Sequence, residues 1–147
     1  MHSFDEIIEF AIQLEQESVE FYDKLSQKSQ KPELKKIFLE MKEEELRHKS
    51  TLEGILIKHQ LPDGKKLYPD PDLKIADYVV DVDENKENLN FQDIMIIAMK
   101  REKATLTLYQ DFYDNTNDPD LKIIFDFLVS EEAKHKHYFE AEFDDQL

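Results

Sequence analysis

The chain has 147 residues and a net charge of −15, from 19 Lys and Arg against 34 Asp and Glu. That charge repels phosphate backbones and excludes nucleic acid as an expected partner. With no Cys, disulfides, thiolate zinc sites, iron–sulfur clusters and cysteine nucleophiles are excluded, so any bound metal must be held by oxygen and nitrogen.

A charged fraction of 36% and a mean hydropathy of −0.67 would suit a disordered chain, but 40% of the residues are hydrophobic, including ten Phe and six Tyr. That is too apolar for disorder, and the length suits one domain spanning 1–147. Two Gly and five Pro leave few turns, which favours long helices over a many-stranded sheet. The longest apolar run, Ile94 to Met99, is too short to span a membrane. The start Met-His-Ser-Phe-Asp-Glu has no basic, then apolar, signal pattern, so a cytoplasmic location is expected.

Four segments carry helical periodicity. In the first, about 4–29, Phe4, Ile8, Ala11, Ile12, Glu15, Val19, Tyr22 and Leu25 share one stripe, and Ser3 is a candidate N-cap. Pro32 ends it and suits the first turn of a second helix, about 33–59, tracked by Leu34, Phe38, Met41, Glu45, His48, Leu52 and Ile55. A connection at 61–89, rich in Pro, Asp and Asn, lacks strong periodicity. It is long for a simple turn and about right for a crossover along a bundle. The third helix, about 90–116, places Met95, Ala98, Glu102, Leu106 and Tyr109 on one side. Asp118-Pro119 opens the fourth, about 119–143, tracked by Leu121, Phe125, Leu128, Glu132, His135 and Phe139.

The chain repeats itself at an offset of 87, without a gap. Phe4 meets Phe91, Ala11 meets Ala98, Glu15 meets Glu102, Tyr22 meets Tyr109, and Pro32 meets Pro119. Farther on, Phe38 meets Phe125, Glu44-Glu45 meets Glu131-Glu132, and His48 meets His135. Two helical hairpins of one design, joined by the crossover, account for this pattern.

Polar residues fall on the core stripes. Glu15 lies among Ile8, Ala11, Val19 and Tyr22, whereas Glu17 points about 200° away. Glu45 and His48 occupy successive core slots, as do Glu132 and His135, and Glu102 lies between Ala98 and Tyr109. Glu44 and Glu131 each lie four residues before a His and are alternative ligands; the core track favours Glu45 and Glu132. The Arg and Lys residues fall mostly on outer faces. An unpaired buried carboxylate costs several kcal/mol, so four of them require positive charge nearby. Two divalent cations would balance four carboxylates with both His neutral, and mixed carboxylate and imidazole donors suit iron or manganese, with zinc also satisfied. His2, His59 and His137 are expected in solvent.

These residues carry a family resemblance. The sequence resembles the ferritin-like superfamily and, within it, the rubrerythrin-type di-iron domain. It does so through Glu15 with Tyr22, Glu45-Leu46-Arg47-His48, Glu102 with Tyr109, and Glu132-Ala133-Lys134-His135. The resemblance implies an all-α, ferritin-like four-helix bundle holding two iron ions. Glu15 and Glu102 would be terminal ligands, Glu45 and Glu132 bridges, and His48 and His135 would cap one metal each. Tyr22 and Tyr109 would be hydrogen-bond donors behind the ligands, reaching across to a terminal Glu.

The chain also departs from that family. Rubrerythrins usually carry a rubredoxin domain built on Cys, and this chain has none, so the resemblance implies an external electron donor, such as a rubredoxin-like protein. The family's additional Glu, one turn after the third-helix ligand, is here Thr105, with Ser18 as its repeat mate. The expected function is an oxidoreductase reducing peroxide or oxygen. Ferrous-iron oxidation or binding is the alternative, and a metal-free helical interaction protein is the alternative of another class. The connection is also long enough to let two chains exchange hairpins as a homodimer.

Overall fold

The computed structural model describes residues 2–59 and 90–145, and among them every regular element is an α-helix. The helices are α1 (Phe4–Lys28), α2 (Pro32–His59), α3 (Phe91–Asn115) and α4 (Pro119–Asp145). Their limits lie close to those expected from periodicity. The expected 61–89 connection lies outside the described residues.

Side-chain caps define the starts. Ser3 Oγ accepts from the Glu6 N–H at 3.1 Å while the Glu6 carboxylate accepts from the Ser3 N–H at 3.4 Å. Asn90 and Asp93 build the same reciprocal box at the start of α3, at 2.8 and 3.4 Å. Each box satisfies donors that a helix N-terminus leaves without an intrahelical acceptor. Pro32 and Pro119 occupy first helical positions, where the missing N–H costs nothing. Before Pro119, the Asp118 carboxylate accepts from the N–H groups of Asp120 and Leu121 at 2.9 and 3.4 Å. At the end of α1, both the N–H and the hydroxyl of Ser29 donate to the Leu25 carbonyl.

The helices form two compact units, α1 with α2 and α3 with α4. Within each, a three-residue turn joins neighbours that pack along their length. The first hairpin packs α1 on α2 and buries Ile8, Ala11 and Leu25 of the one and Phe38, Met41 and Leu52 of the other. Tyr22 stacks on Phe38 with ring centroids 6.1 Å apart. The second repeats the arrangement: Tyr109 meets Phe125 at 5.7 Å, and Phe125 also stacks on Phe112 at 5.1 Å. All of Tyr22, Phe38, Tyr109 and Phe125 are fully buried.

Four expected core residues sit only half in. Phe4, Ile12, Ile55 and Leu106 are intermediate in exposure, while Leu14, Leu56 and Leu108 are buried. The inward surface of each helix is wider than one stripe, so the buried set includes residues one or two positions from the half-buried Ile12, Ile55 and Leu106. At the free end of the first hairpin, the His59 ring stacks on Phe4 with centroids 4.0 Å apart, and its Nδ1 lies 2.8 Å from the Asp5 carboxylate. His59 is thus exposed, as expected, yet ties the end of α2 to the start of α1.

These packings differ enough in depth to rank two substitutions. Phe38→Ala removes a fully buried ring and should cost about 3–5 kcal/mol, while Ser3→Ala removes only a cap and should cost about 1 kcal/mol. Denaturant unfolding of the metal-free protein measures both; equal losses would contradict the packing described.

Candidate metal centre

Each hairpin carries one Glu–Glu–His triad. In the first, α1 supplies Glu15 and α2 supplies Glu45 and His48; in the second, α3 supplies Glu102 and α4 supplies Glu132 and His135. The Glu and His on α2 and on α4 are three residues apart, so a helical turn brings both to one side. All six side chains are buried: Glu15, Glu45 and Glu132 show no exposed surface, and His48, the most exposed, shows 6%.

The donor atoms converge within each triad. His48 Nδ1 lies 3.7 Å from a Glu15 oxygen and 3.9 Å from a Glu45 oxygen. His135 Nδ1 lies 3.5 Å from an oxygen of both Glu102 and Glu132. One ligand atom from each member of a triad lies within 4.8 Å of the others. Two donors sharing a cation at ordinary metal–ligand bond lengths stand about 3.0–3.5 Å apart, so these spacings need little adjustment to enclose an ion. The same nitrogen, Nδ1, faces both carboxylates in both hairpins. Metal binding through Nδ1 would leave Nε2 of each ring to be oriented by other groups.

Electrostatics make these clusters costly when empty of positive charge. The Glu102 carboxyl is held well above the usual carboxylate range, chiefly by burial and then by the neighbouring Glu132 charge; contact with His135 pulls the other way. A group in that state gives up its proton reluctantly, and a divalent cation would take the proton's place.

The neighbouring positions differ in their surroundings. Glu45 and Glu132 are buried, whereas Glu44 and Glu131 are half-buried, and Glu131 pairs with Lys134 at 3.2 Å. Ser18 and Thr105, one turn after Glu15 and Glu102, are both buried at 3% exposure. They put a neutral hydroxyl at the position of the expected departure from the family. Tyr22 and Tyr109 lie fully buried one turn farther on. His2 is half-buried beside Glu6 at 3.6 Å, and His137 is exposed beside Glu140 at 3.8 Å.

One buried charge was unexpected. Arg101 is only 5% exposed, although basic residues were expected on outer faces. The signal was available in the repeat: its mate is Leu14, which is 1% exposed, so position 101 inherits an inward-facing slot.

Comparison with known proteins agrees with this geometry. The rubrerythrin family model matches residues 6–143. The chain belongs to the rubrerythrin family. A solved structure of a hypothetical protein from Pyrococcus furiosus shares its fold, with a TM-score of 0.70 and 23% identity over 97% of this chain and 89% of that one. The fold is therefore the ferritin-like one of rubrerythrins. No curated protein matches the chain. Among the described residues, no helix is long and apolar enough to cross a membrane.

The pH response of the metal-free rubrerythrin follows from Glu102. Its folded carboxyl holds a proton more tightly than an unfolded one, so the folded state binds the extra proton between the two titrations. Stability is lowest above the folded value and rises as pH falls through it toward the ordinary carboxylate range. Thermal melts of the apoprotein should therefore shift upward on mild acidification from neutral pH, and Glu102→Gln should flatten that rise. Metal-loaded protein should show no such gain, because protons then compete with the ions. Identical pH profiles with and without metal would contradict a buried carboxylate site.

Proposed function

We propose that the two triads together hold a carboxylate-bridged pair of iron ions, and that the protein is an oxidoreductase reducing peroxide or oxygen with electrons from an external donor. The observation that carries this reading is the recurrence of one buried Glu–Glu–His triad, in repeat register, in both hairpins of a rubrerythrin-family chain. Four carboxylates balance two divalent cations, and neutral hydroxyls at Ser18 and Thr105 add no fifth charge to upset that balance.

In this reading the iron pair supplies electrons and Lewis acidity. The protein's groups hold and shield it. Glu15 and Glu102 would hold it as terminal carboxylates, and Glu45 and Glu132 as bridging ones. His48 and His135 would each offer Nδ1, the nitrogen that faces the two carboxylates of its own triad, to one ion. Tyr22 and Tyr109 keep their rings in the aromatic core and donate their hydroxyl protons to terminal carboxylates, which orients those ligands. With no Cys among these residues to hold a thiolate redox centre, this reading takes its electrons from a separate donor.

A second reading uses the same site with ferrous ion as the substrate. The chain's net charge of −15 favours it, because an acidic surface concentrates cations. Steady-state turnover of peroxide against turnover of ferrous ion separates the two.

Metal content tests the assignment itself. Wild-type protein should bind two ions per chain, with anomalous scattering that appears above the iron edge and vanishes below it. Glu45→Ala or Glu132→Ala should reduce occupancy of both ions, whereas His48→Ala or His135→Ala should chiefly deplete one. Full occupancy in both Glu variants would overturn the bridging roles and point to Glu44 and Glu131.

A further inference from the structure

The repeat that equates the two hairpins breaks at their tips. Residues 24–36, around the turn between α1 and α2, contain five Lys and one Glu, whereas the matching residues 111–123 contain four Asp and one Lys. One repeated position shows what differs. Lys122 Nζ donates to the Tyr113 carbonyl at 3.0 Å and lies 4.3 Å from the centre of the Tyr113 ring. Its repeat mate, Lys35, is exposed and has no such use. Among the described residues, the side chains of Lys24, Lys28, Lys35 and Lys36 form no hydrogen bond or ion pair, in a chain with an excess of carboxylates.

Local helix chemistry does not account for these lysines. The opening of a helix favours acidic side chains, because its first N–H groups point outward, and α4 follows that rule with Asp118 and Asp120. In contrast, α2 opens with Lys31, Lys35 and Lys36 around a single acidic residue, Glu33. Beside them, Pro32, Lys35, Lys36 and Leu39 line an open groove whose far end carries Glu40 and Glu43. Leu39 is 41% exposed there, so the groove has an apolar floor and a cationic rim toward the turn.

We propose that the lysine tip of the α1–α2 hairpin is the docking site of the external electron donor, and that this donor is a small protein with an acidic face; the assignment rests on the oxidoreductase reading above. Charge complementarity selects that partner. An acidic face is repelled by a chain of net charge −15 and attracted at the tip, so the lysines orient the encounter as well as strengthen it. Glu40 and Glu43 repel the same face and hold it at the turn. The groove adds a small apolar contact, which suits a carrier that must leave after each delivery. The tip is also near the first triad. Leu39 lies six residues and Lys36 nine residues before Glu45, which is about 9 and 14 Å along α2 at 1.5 Å per residue. Phe38, next to Leu39, is buried against Tyr22, so the groove backs onto the aromatic packing that lies two helical turns from Glu15.

The test titrates an acidic rubredoxin, in its oxidised form, into the metal-loaded full chain by calorimetry. Wild-type protein should bind it, less tightly as salt rises. The double variant K35E/K36E should weaken binding at least tenfold. The double variant K58E/K103E changes the net charge equally at two exposed lysines outside the tip and should weaken binding less than threefold. Leu39→Ser changes no charge and should weaken binding at least threefold, a result that stands independently if a charge-reversed chain fails to fold. Absence of binding by the wild type, equal losses in the two double variants, unchanged affinity in Leu39→Ser, or a single-stranded RNA oligonucleotide that binds the tip more tightly than the rubredoxin would each overturn the proposal. Peroxide turnover with a small neutral reductant, which needs no docking, should be equal in wild type and K35E/K36E. Its absence in wild type alongside tip-dependent rubredoxin binding would instead overturn the oxidoreductase reading and support the docking surface.

Discussion

Burying carboxylates in an apolar interior is the constraint on which the rest of this protein depends. Glu15, Glu45, Glu102 and Glu132 together expose almost nothing to water, and each hairpin holds two of them beside one imidazole. No arrangement of Leu and Phe offsets that cost. The helices tolerate it because each carboxylate occupies one slot of a stripe whose other members are apolar, as with Glu15 among Ile8, Ala11 and Tyr22. The packing is therefore sufficient to hold the ligands in place but insufficient to make them comfortable without positive charge. Such a framework is preorganised: the chain bears the cost of assembling the donors, and a bound cation would offset it.

The repeat explains why two triads share one geometry. In each, Nδ1 of a histidine faces one carboxylate from its own helix and one from the hairpin partner, and the phenol one turn beyond the hydroxyl stacks near a phenylalanine of the paired helix. Departures from the repeat are equally informative. Leu14 against Arg101 makes the two inner surfaces chemically unequal at one buried position, and exposed pairs such as Lys24 against Asp111 make the outer surfaces unequal. Inequality at the surface costs little in stability, so it is where two copies of one design are freest to diverge.

Much of this was legible in the sequence, for identifiable reasons. Pro32 and Pro119 mark helix starts that no other residue would mark as firmly, and Ser3 announces a cap that the structure contains. The Glu and His slots were visible because a charged residue on a hydrophobic track contradicts its neighbours. Phe4, Ile12, Ile55 and Leu106 were misplaced because a single 3.6-residue track cannot represent a broad buried face or its frayed end. Arg101 was missed because its side-chain chemistry outweighed its register; its repeat mate, Leu14, carried the contrary signal. The tie between His59, Phe4 and Asp5 joins residues more than fifty positions apart, and no local pattern encodes it.

The three-residue turns have a kinetic consequence. Contacts inside each hairpin are close in sequence, and chains dominated by such contacts fold quickly. During synthesis, Glu15, Glu45 and His48 can be gathered into one folded unit before Asn90 has been added to the chain. The first half of the ligand set then exists for a time without the second, with two carboxylates and one imidazole on a nascent hairpin. On the proposed reading, the first triad would then be open to a cation before the second exists, with an incomplete and weaker set of donors.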